Sequence, residues 1–200
     1  TAFKSPTLSN SNIYFNEVDY YSDTNHDFDP QDDLRHSESS KTTSAMVIGD
    51  FDGDEDGELV IALKGSSNSS IYVSDDGDDI NQYHLYTNWN YYVTALAAGN
   101  FFDSDRTKWY RDHLVIAYRK FDHSHAYMLL VDLMADDPIG SATTINVPSG
   151  YHVTAMTTGD LLGEFRDLLV TATANQDPNP TVSVNYGTKL YMTDLQATST

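Results

Sequence analysis

The 200-residue sequence contains no cysteine. Disulfides, thiolate metal sites and a cysteine nucleophile are thereby excluded. The compartment stays open, because large secreted repeat proteins often manage without disulfides. Basic residues are scarce as well: eleven Lys and Arg stand against thirty Asp and Glu, a formal charge of −19. A surface that negative repels phosphate backbones and anionic lipid headgroups, so nucleic acid and membrane surfaces are poor partners and multivalent cations suitable ones. No apolar run reaches the about eighteen residues of a spanning helix, and no membrane insertion is expected. The signatures G-x-S-x-G and H-E-x-x-H and a phosphate-cradling glycine loop are missing, and no nucleophile–base–acid set can be placed. The chain therefore reads as non-catalytic. Its opening at Thr1, without methionine or a signal-like stretch, is expected of a processed chain or a piece of a longer one.

What is present is an internal repeat. Thr43-Ser-Ala-Met-Val-Ile-Gly49-Asp50-Phe51, Val93-Thr-Ala-Leu-Ala-Ala-Gly99-Asn100-Phe101 and Val153-Thr-Ala-Met-Thr-Thr-Gly159-Asp160-Leu161 align on a shared glycine. Alanine stands four residues before it each time (Ala45, Ala95, Ala155), and Met46, Leu96 or Met156 stands three before. A polar loop follows, then a short apolar run: Leu59-Val-Ile-Ala62, Leu114-Val-Ile-Ala117 and Leu168-Leu-Val-Thr-Ala172. Further short runs bounded by Gly, Asp, Asn and Ser read as strands: Ser70–Val73, Tyr83–Tyr86, Ala126–Val131, Thr143–Val147, Thr181–Val184 and Lys189–Met192. No amphipathic helix is evident.

The glycines lie fifty and then sixty residues apart, which gives about four strands per unit. Four-stranded sheets repeating at this length predict an all-β chain of propeller blades, whose radial packing leaves only short edges. A β-sandwich is the alternative, but it leaves the repeated glycine frame unexplained. The predicted organisation is an irregular segment, or the end of a preceding blade, over 1–42, then repeats over 43–92, 93–152 and 153–200. Propellers close with about four to eight blades. Three repeats predict part of a larger propeller, completed by the remainder of a longer chain or by a homo-oligomer.

Chemistry concentrates in the first repeat. Gly49-Asp50-Phe51-Asp52-Gly53-Asp54-Glu55-Asp56-Gly57-Glu58-Leu59-Val60-Ile61-Ala62 resembles the FG-GAP or VCBS repeat of integrin α-subunit propellers and of secreted bacterial and fungal proteins. In that family a D-x-[DN]-x-D-G-x-x-D loop joins two neighbouring strands of a blade and wraps one calcium ion. The resemblance implies side-chain oxygens from Asp50, Asp52 and Asp54, a backbone carbonyl from Asp56, and Glu58 as the closing carboxylate. The chemistry is sound on its own terms. Calcium takes about six to eight oxygen ligands in flexible geometry, and five carboxylates at 50, 52, 54, 56 and 58 would otherwise repel one another. Two positions depart from the family: Glu55 replaces its mid-loop glycine, so a positive φ there would be strained, and Glu58 replaces the final Asp. An EF-hand needs flanking helices, which are absent.

The other two loops are degenerate. The stretch from Asn100 through Asp103 and Asp105 is long and carries Arg106, Lys108 and Arg111, which can stand in for a metal electrostatically. The loop from Asp160 to Asp167 lacks a second acidic ligand and reads as a turn in which Arg166 pairs with a carboxylate. His123 and His125 lie on one side of an extended segment but lack a third ligand, so a surface loop is the expectation. Asp75–Asp79 reads as an inter-strand turn and Asp23–Asp33 as an exposed loop. Asn68-Ser-Ser70 is a glycosylation sequon expected in a surface loop. The aromatic group Tyr83, Tyr86, Trp89, Tyr91 and Tyr92, with Trp109 and Tyr110, is expected to pack between blades, with a sugar-binding surface as the alternative. Together these readings point to an extracellular, calcium-binding propeller module serving adhesion, assembly or ligand binding. Its partners would be protein chains or glycans at the cell surface. A carbohydrate-binding lectin and an accessory domain of a secreted hydrolase are the alternatives.

Overall fold

A computed structural model describes residues 2–4, 11–14, 34–38, 41–75, 81–102, 111–161, 167–175 and 188–195. Among these the fold is all-β. Residues 1–42 contribute three short strands, β1 (Ala2–Lys4), β2 (Ser11–Tyr14) and β3 (Leu34–Glu38), in one antiparallel sheet. A four-stranded meander follows: β4 (Thr42–Gly49), β5 (Glu58–Lys64), β6 (Asn68–Asp75) and β7 (Asn81–Trp89). The next comprises β8 (Tyr91–Gly99), β9 (His113–Lys120), β10 (Ala126–Val131) and β11 (Thr143–Asn146). The last described sheet holds β12 (Tyr151–Gly159), β13 (Leu168–Asn175) and β14 (Lys189–Thr193). Thr181–Val184, read as a strand from the sequence, lies outside the described residues.

The aligned segments occupy the same place in three sheets. Gly49, Gly99 and Gly159 end the first strand, opposite Glu58, His113 and Leu168 at the start of the second. Each first strand also carries a bulge at one position. Register shifts between Thr43 and Ala45, between Val93 and Ala95, and between Val153 and Ala155. The extra residue is Ser44, Thr94 or Thr154, and its hydroxyl donates to the carbonyl of Ala62, Ala117 or Ala172 at 3.2, 3.4 and 3.2 Å. A bulge leaves one residue unpaired and bends the strand. Here a Ser or Thr at that residue spends its hydroxyl on the neighbouring strand.

The sheets stack face to face in a row. β1 lies against β4, β4 against β8, and β8 against β12. The first core joins the β4–β7 sheet (Val60, Ala62, Ile71, Val73) to the β8–β11 sheet (Val93, Leu114, Ile116, Tyr118). The second joins the other face of β8–β11 (Ala95, Ala97, Val115, Met128) to β12–β14 (Val153, Leu169) with Leu195. β5 and β9 are therefore apolar on both faces: residues 59–63 and 114–118 are all at most 6 % exposed. That double burial explains their continuous rather than alternating hydrophobic runs. Tyr86, Tyr91 and Tyr127 pack on the first core, in line with the packing expectation for Tyr86 and Tyr91, while Trp89 is exposed. Trp109 and Tyr110 lie outside the described residues.

The sequon residue corrects one expectation. Asn68 is the first residue of β6, half-buried and paired with Trp89, rather than part of a loop. The turn before it is tight, with the Gly65 N–H donating to the Asn68 carbonyl at 2.8 Å, so the strand begins at once.

Candidate metal centre

The acidic loop joins β4 to β5, flanked by strands on both sides. It is curled by its own carboxylates. Asp50 accepts from the N–H groups of Gly53 (2.7 Å) and Glu55 (3.2 Å), Asp52 from Asp54 (3.0 Å), and Asp54 from Asp56 (2.9 Å). Such side-chain-to-backbone bonds define short Asx turns. Two residues turn left-handed, Gly53 at φ 88° and Glu55 at φ 79°. The second occurs at the position where the resemblance replaces glycine with glutamate, and a non-glycine residue there costs about 1 kcal/mol or more.

The curl brings Asp50, Asp52 and Glu58 together, one oxygen from each within 4.8 Å of the others. Among the described residues no other group of three or more His, Asp or Glu converges in this way. Asp54 and Asp56 stay outside the trio and are exposed, Asp54 accepting from the Asp56 N–H. Glu58 is buried, 5 % exposed, and accepts from the Phe51 N–H at 2.6 Å. Burial pushes its carboxyl up to about 7, and the charges of Asp52, Asp50 and Asp54 push the same way. A buried carboxylate beside two others needs either a proton or a cation. An all-oxygen, all-anionic donor set suits a hard divalent ion such as calcium, with Asp50, Asp52 and Glu58 as its holders.

This loop is also tied to the next sheet. The Asp50 N–H donates to the Asp112 carboxylate at 3.2 Å, and the Asp112 N–H donates back to the Asp50 carbonyl at 2.5 Å. One repeat further on, Asn100 and Asp167 make the same reciprocal pair at 3.0 and 2.7 Å. Burial, followed by the charges of Asp167 and Asp50, raises the Asp112 carboxyl above the usual range. The sequence reading missed this latch. Its signal was an aspartate just before the second apolar run of two repeats, hidden because the intervening loops differ in length. A second missed signal is the pair Asp132-Leu133 and Asp194-Leu195 after β10 and β14. Leu133 and Leu195 are buried in the same cores as Phe51 and Phe101, respectively.

The remaining candidates separate. Arg111 pairs with Asp132 at 2.7 Å, beyond the end of β10. Residues 103–110, 162–166, 76–80 and 21–33 lie outside the described set, and with them most of the second and third loops and both other acidic stretches. His123 sits in a turn at φ 62°, and His125 makes edge contact with the Tyr91 ring at 6.5 Å. Where β4, β8 and β12 begin, a polar hollow of about 330 Å³ is lined by Lys64, Arg119, His152 and the hydroxyls of Ser44, Thr94 and Thr154. Burial, with the charges of Arg119 and His123, pushes His152 down to about 4. Its Nε2 therefore accepts from the Arg119 guanidinium at 3.3 Å. A cleft of about 410 Å³ between β11 and the β12–β14 sheet is lined by apolar Met128, Ile145, Val147, Pro148 and Val153 together with several threonines and Tyr191, with no charged side chain. Neither family models, nor curated proteins, nor solved structures gave a match to this chain.

Proposed function

We propose that this chain is a non-catalytic, extracellular calcium-binding module built of propeller blades of the FG-GAP or VCBS kind, serving adhesion, structural assembly or ligand binding. The observation that carries the reading is the convergence of Asp50, Asp52 and Glu58 in a loop latched to the neighbouring sheet. Bound calcium supplies a local positive charge. Asp50 and Asp52 would hold it from the curled turn, Glu58 would close it from the buried side, and Asp54 and Asp56 would reinforce the loop. Because the Asp50 backbone is shared with Asp112, ordering the loop also orders the junction between two sheets. The role is structural.

Thermal melts in millimolar calcium and in excess EDTA test this, with Asp52→Ala and Glu58→Gln alongside. A ligand that binds only the folded state at about a hundred times its dissociation constant adds about 2.7 kcal/mol. Calcium is expected to raise the melting point of the native chain and neither variant. Glu58→Gln should, in EDTA at neutral pH or above, melt higher than the native chain, because it removes a buried charge while its amide oxygen still accepts from Phe51. An equal response to calcium in all three proteins sinks the reading.

The uncharged cleft favours a second reading, a carbohydrate-binding surface, since threonine hydroxyls and Tyr191 beside apolar walls suit a neutral sugar. A glycan array with Tyr191→Ala as control decides it: sugar-competed binding lost in the variant supports the lectin, and silence removes it.

A further inference from the structure

The repeat frame builds a second site at the other end of the first strands, away from the acidic loop. Lys64 of β5 pairs with Thr42, and Arg119 of β9 pairs with Tyr92, at the same register position of two successive sheets. The third sheet pairs Ala174 with His152 there. Lys64, Arg119 and His152 all line the polar hollow of about 330 Å³, and no carboxylate does. In a chain with thirty acidic residues against eleven Lys and Arg, two cations share one hollow without an acid.

The Arg119 guanidinium has no counter-charge among the described residues. It is half-buried, and its side-chain hydrogen bond goes to His152, whose Nε2 accepts at 3.3 Å. A guanidinium only donates, so the proton of the neutral imidazole lies on Nδ1. That Nδ1 and the Arg119 Nε are both sealed from water and meet no hydrogen-bond partner among the described residues. The neighbouring turn offers no compensation. Burial, then the charges of Arg119 and Lys64, hold the His123 imidazole below its ordinary range. Asp122 beside it is engaged by Lys120 at 2.8 Å and by the Ser124 hydroxyl at 2.6 Å. A partly buried charge is costly while unpaired, and orphaned donors beside it call for an ion or ligand.

The hydroxyls in the hollow have the opposite preference. Ser44, Thr94 and Thr154, one from each bulge, direct their protons to main-chain carbonyls. Their oxygens keep only lone pairs, so toward a ligand they accept and do not donate. The hollow therefore offers positive charge to an anionic group and acceptors to hydroxyl groups. Sulfate uses only the first, and a neutral sugar only the second.

We propose that the hollow where β4, β8 and β12 begin binds a sugar acid, whose carboxylate pairs with Arg119 and Lys64 and whose hydroxyls donate to Ser44, Thr94 and Thr154. The volume suits a ligand of monosaccharide size. The inference uses neither calcium at the acidic loop nor the uncharged cleft.

Nuclear magnetic resonance titrations of the full, isotope-labelled chain with D-glucuronate, D-glucose, acetate and sulfate test it. Glucuronate should move the signals of Arg119, Thr94 and Thr154 at millimolar concentration and leave the Asp50–Glu58 loop in place. Glucose, acetate and sulfate should each bind at least about tenfold more weakly. Arg119→Gln should lower glucuronate affinity by about tenfold or more, since a charge-assisted hydrogen bond is lost. It should keep the native melting point, because no described acid loses its partner. Lys64→Gln gives an independent reading of the same loss if Arg119→Gln does not fold. Thr94→Val should weaken glucuronate and leave acetate unchanged. Sulfate or glucose binding as tightly as glucuronate overturns the proposal. So does movement confined to the acidic loop, no movement at all, or binding undiminished in both charge variants.

Discussion

At the scale of single residues, Glu58 and the three repeat glycines carry the most decisive chemistry. The folded chain lifts Glu58 from an ordinary 4.5 to about 7, so between those values the folded state binds more protons than the unfolded one. Without calcium, its contribution to stability is therefore complete below about pH 4.5 and is lost as pH rises through about 7. Melting points in EDTA across this window should fall more steeply for the native chain than for Glu58→Gln, and calcium should close the gap. Parallel slopes would show that Glu58 ionises as freely folded as unfolded. The glycines differ among themselves. Gly49→Ala and Gly99→Ala force a methyl to 2.7 Å from the Ala98 Cβ and 2.8 Å from the Asp167 carboxylate, respectively, and should each cost about 1–3 kcal/mol in chemical denaturation. Gly159→Ala, whose added methyl meets no described atom within 4 Å, should be neutral or slightly stabilising, as expected when glycine leaves a strand. The glycine frame was readable in the sequence. Its cause was not, because close approach of a neighbouring sheet leaves no mark beyond the absence of a side chain.

At the scale of elements, most strands were legible because their apolar runs are short and β-branched: Ala126–Val131 is β10, and Ser70–Val73, Tyr83–Tyr86, Thr143–Val147 and Lys189–Met192 fall largely within β6, β7, β11 and β14. The bulges were hidden inside the very segments that aligned best. Ser44, Thr94 and Thr154 look like ordinary strand residues in sequence, and only pairing reveals that they have no partner. Of the site, the acidic loop was visible as a motif, and its left-handed Glu55 as a departure from one. The Asp112 latch was invisible, since it joins residues sixty-two positions apart. Removing that latch should be expensive in one way and cheap in another. Asp112→Ala leaves the Asp50 N–H without its acceptor and should cost about 1–3 kcal/mol, together with a loss of calcium response. Asp112→Asn keeps an acceptor and discards a charge that burial already disfavours, so it should stay within about 1 kcal/mol of the native chain. Equal destabilisation by both in urea titrations would point to the charge itself as the stabilising feature.

At the scale of the whole molecule, the described residues form a file of thin sheets, with one core between β4–β7 and β8–β11 and another between β8–β11 and β12–β14, rather than one central core. The chain carries an excess of acid, with thirty Asp and Glu against eleven Lys and Arg, and among the described cations Arg111 and Lys120 pair with carboxylates while two lysines lie against rings. Lys64 sits 3.6 Å above the Tyr92 ring and Lys189 4.4 Å above Tyr151. Stability in such a file accrues from each sheet and each junction with its neighbours, as in other linear repeat architectures. The polarity of the file, in which Ala45 and Val47 of β4 meet the following sheet as Ala95 and Ala97 of β8 meet theirs, has a consequence for how such a gene can change. Duplicating or deleting one complete unit still sets a face of one kind against a face of the other kind. A change in the number of units by whole steps therefore keeps every junction of one kind.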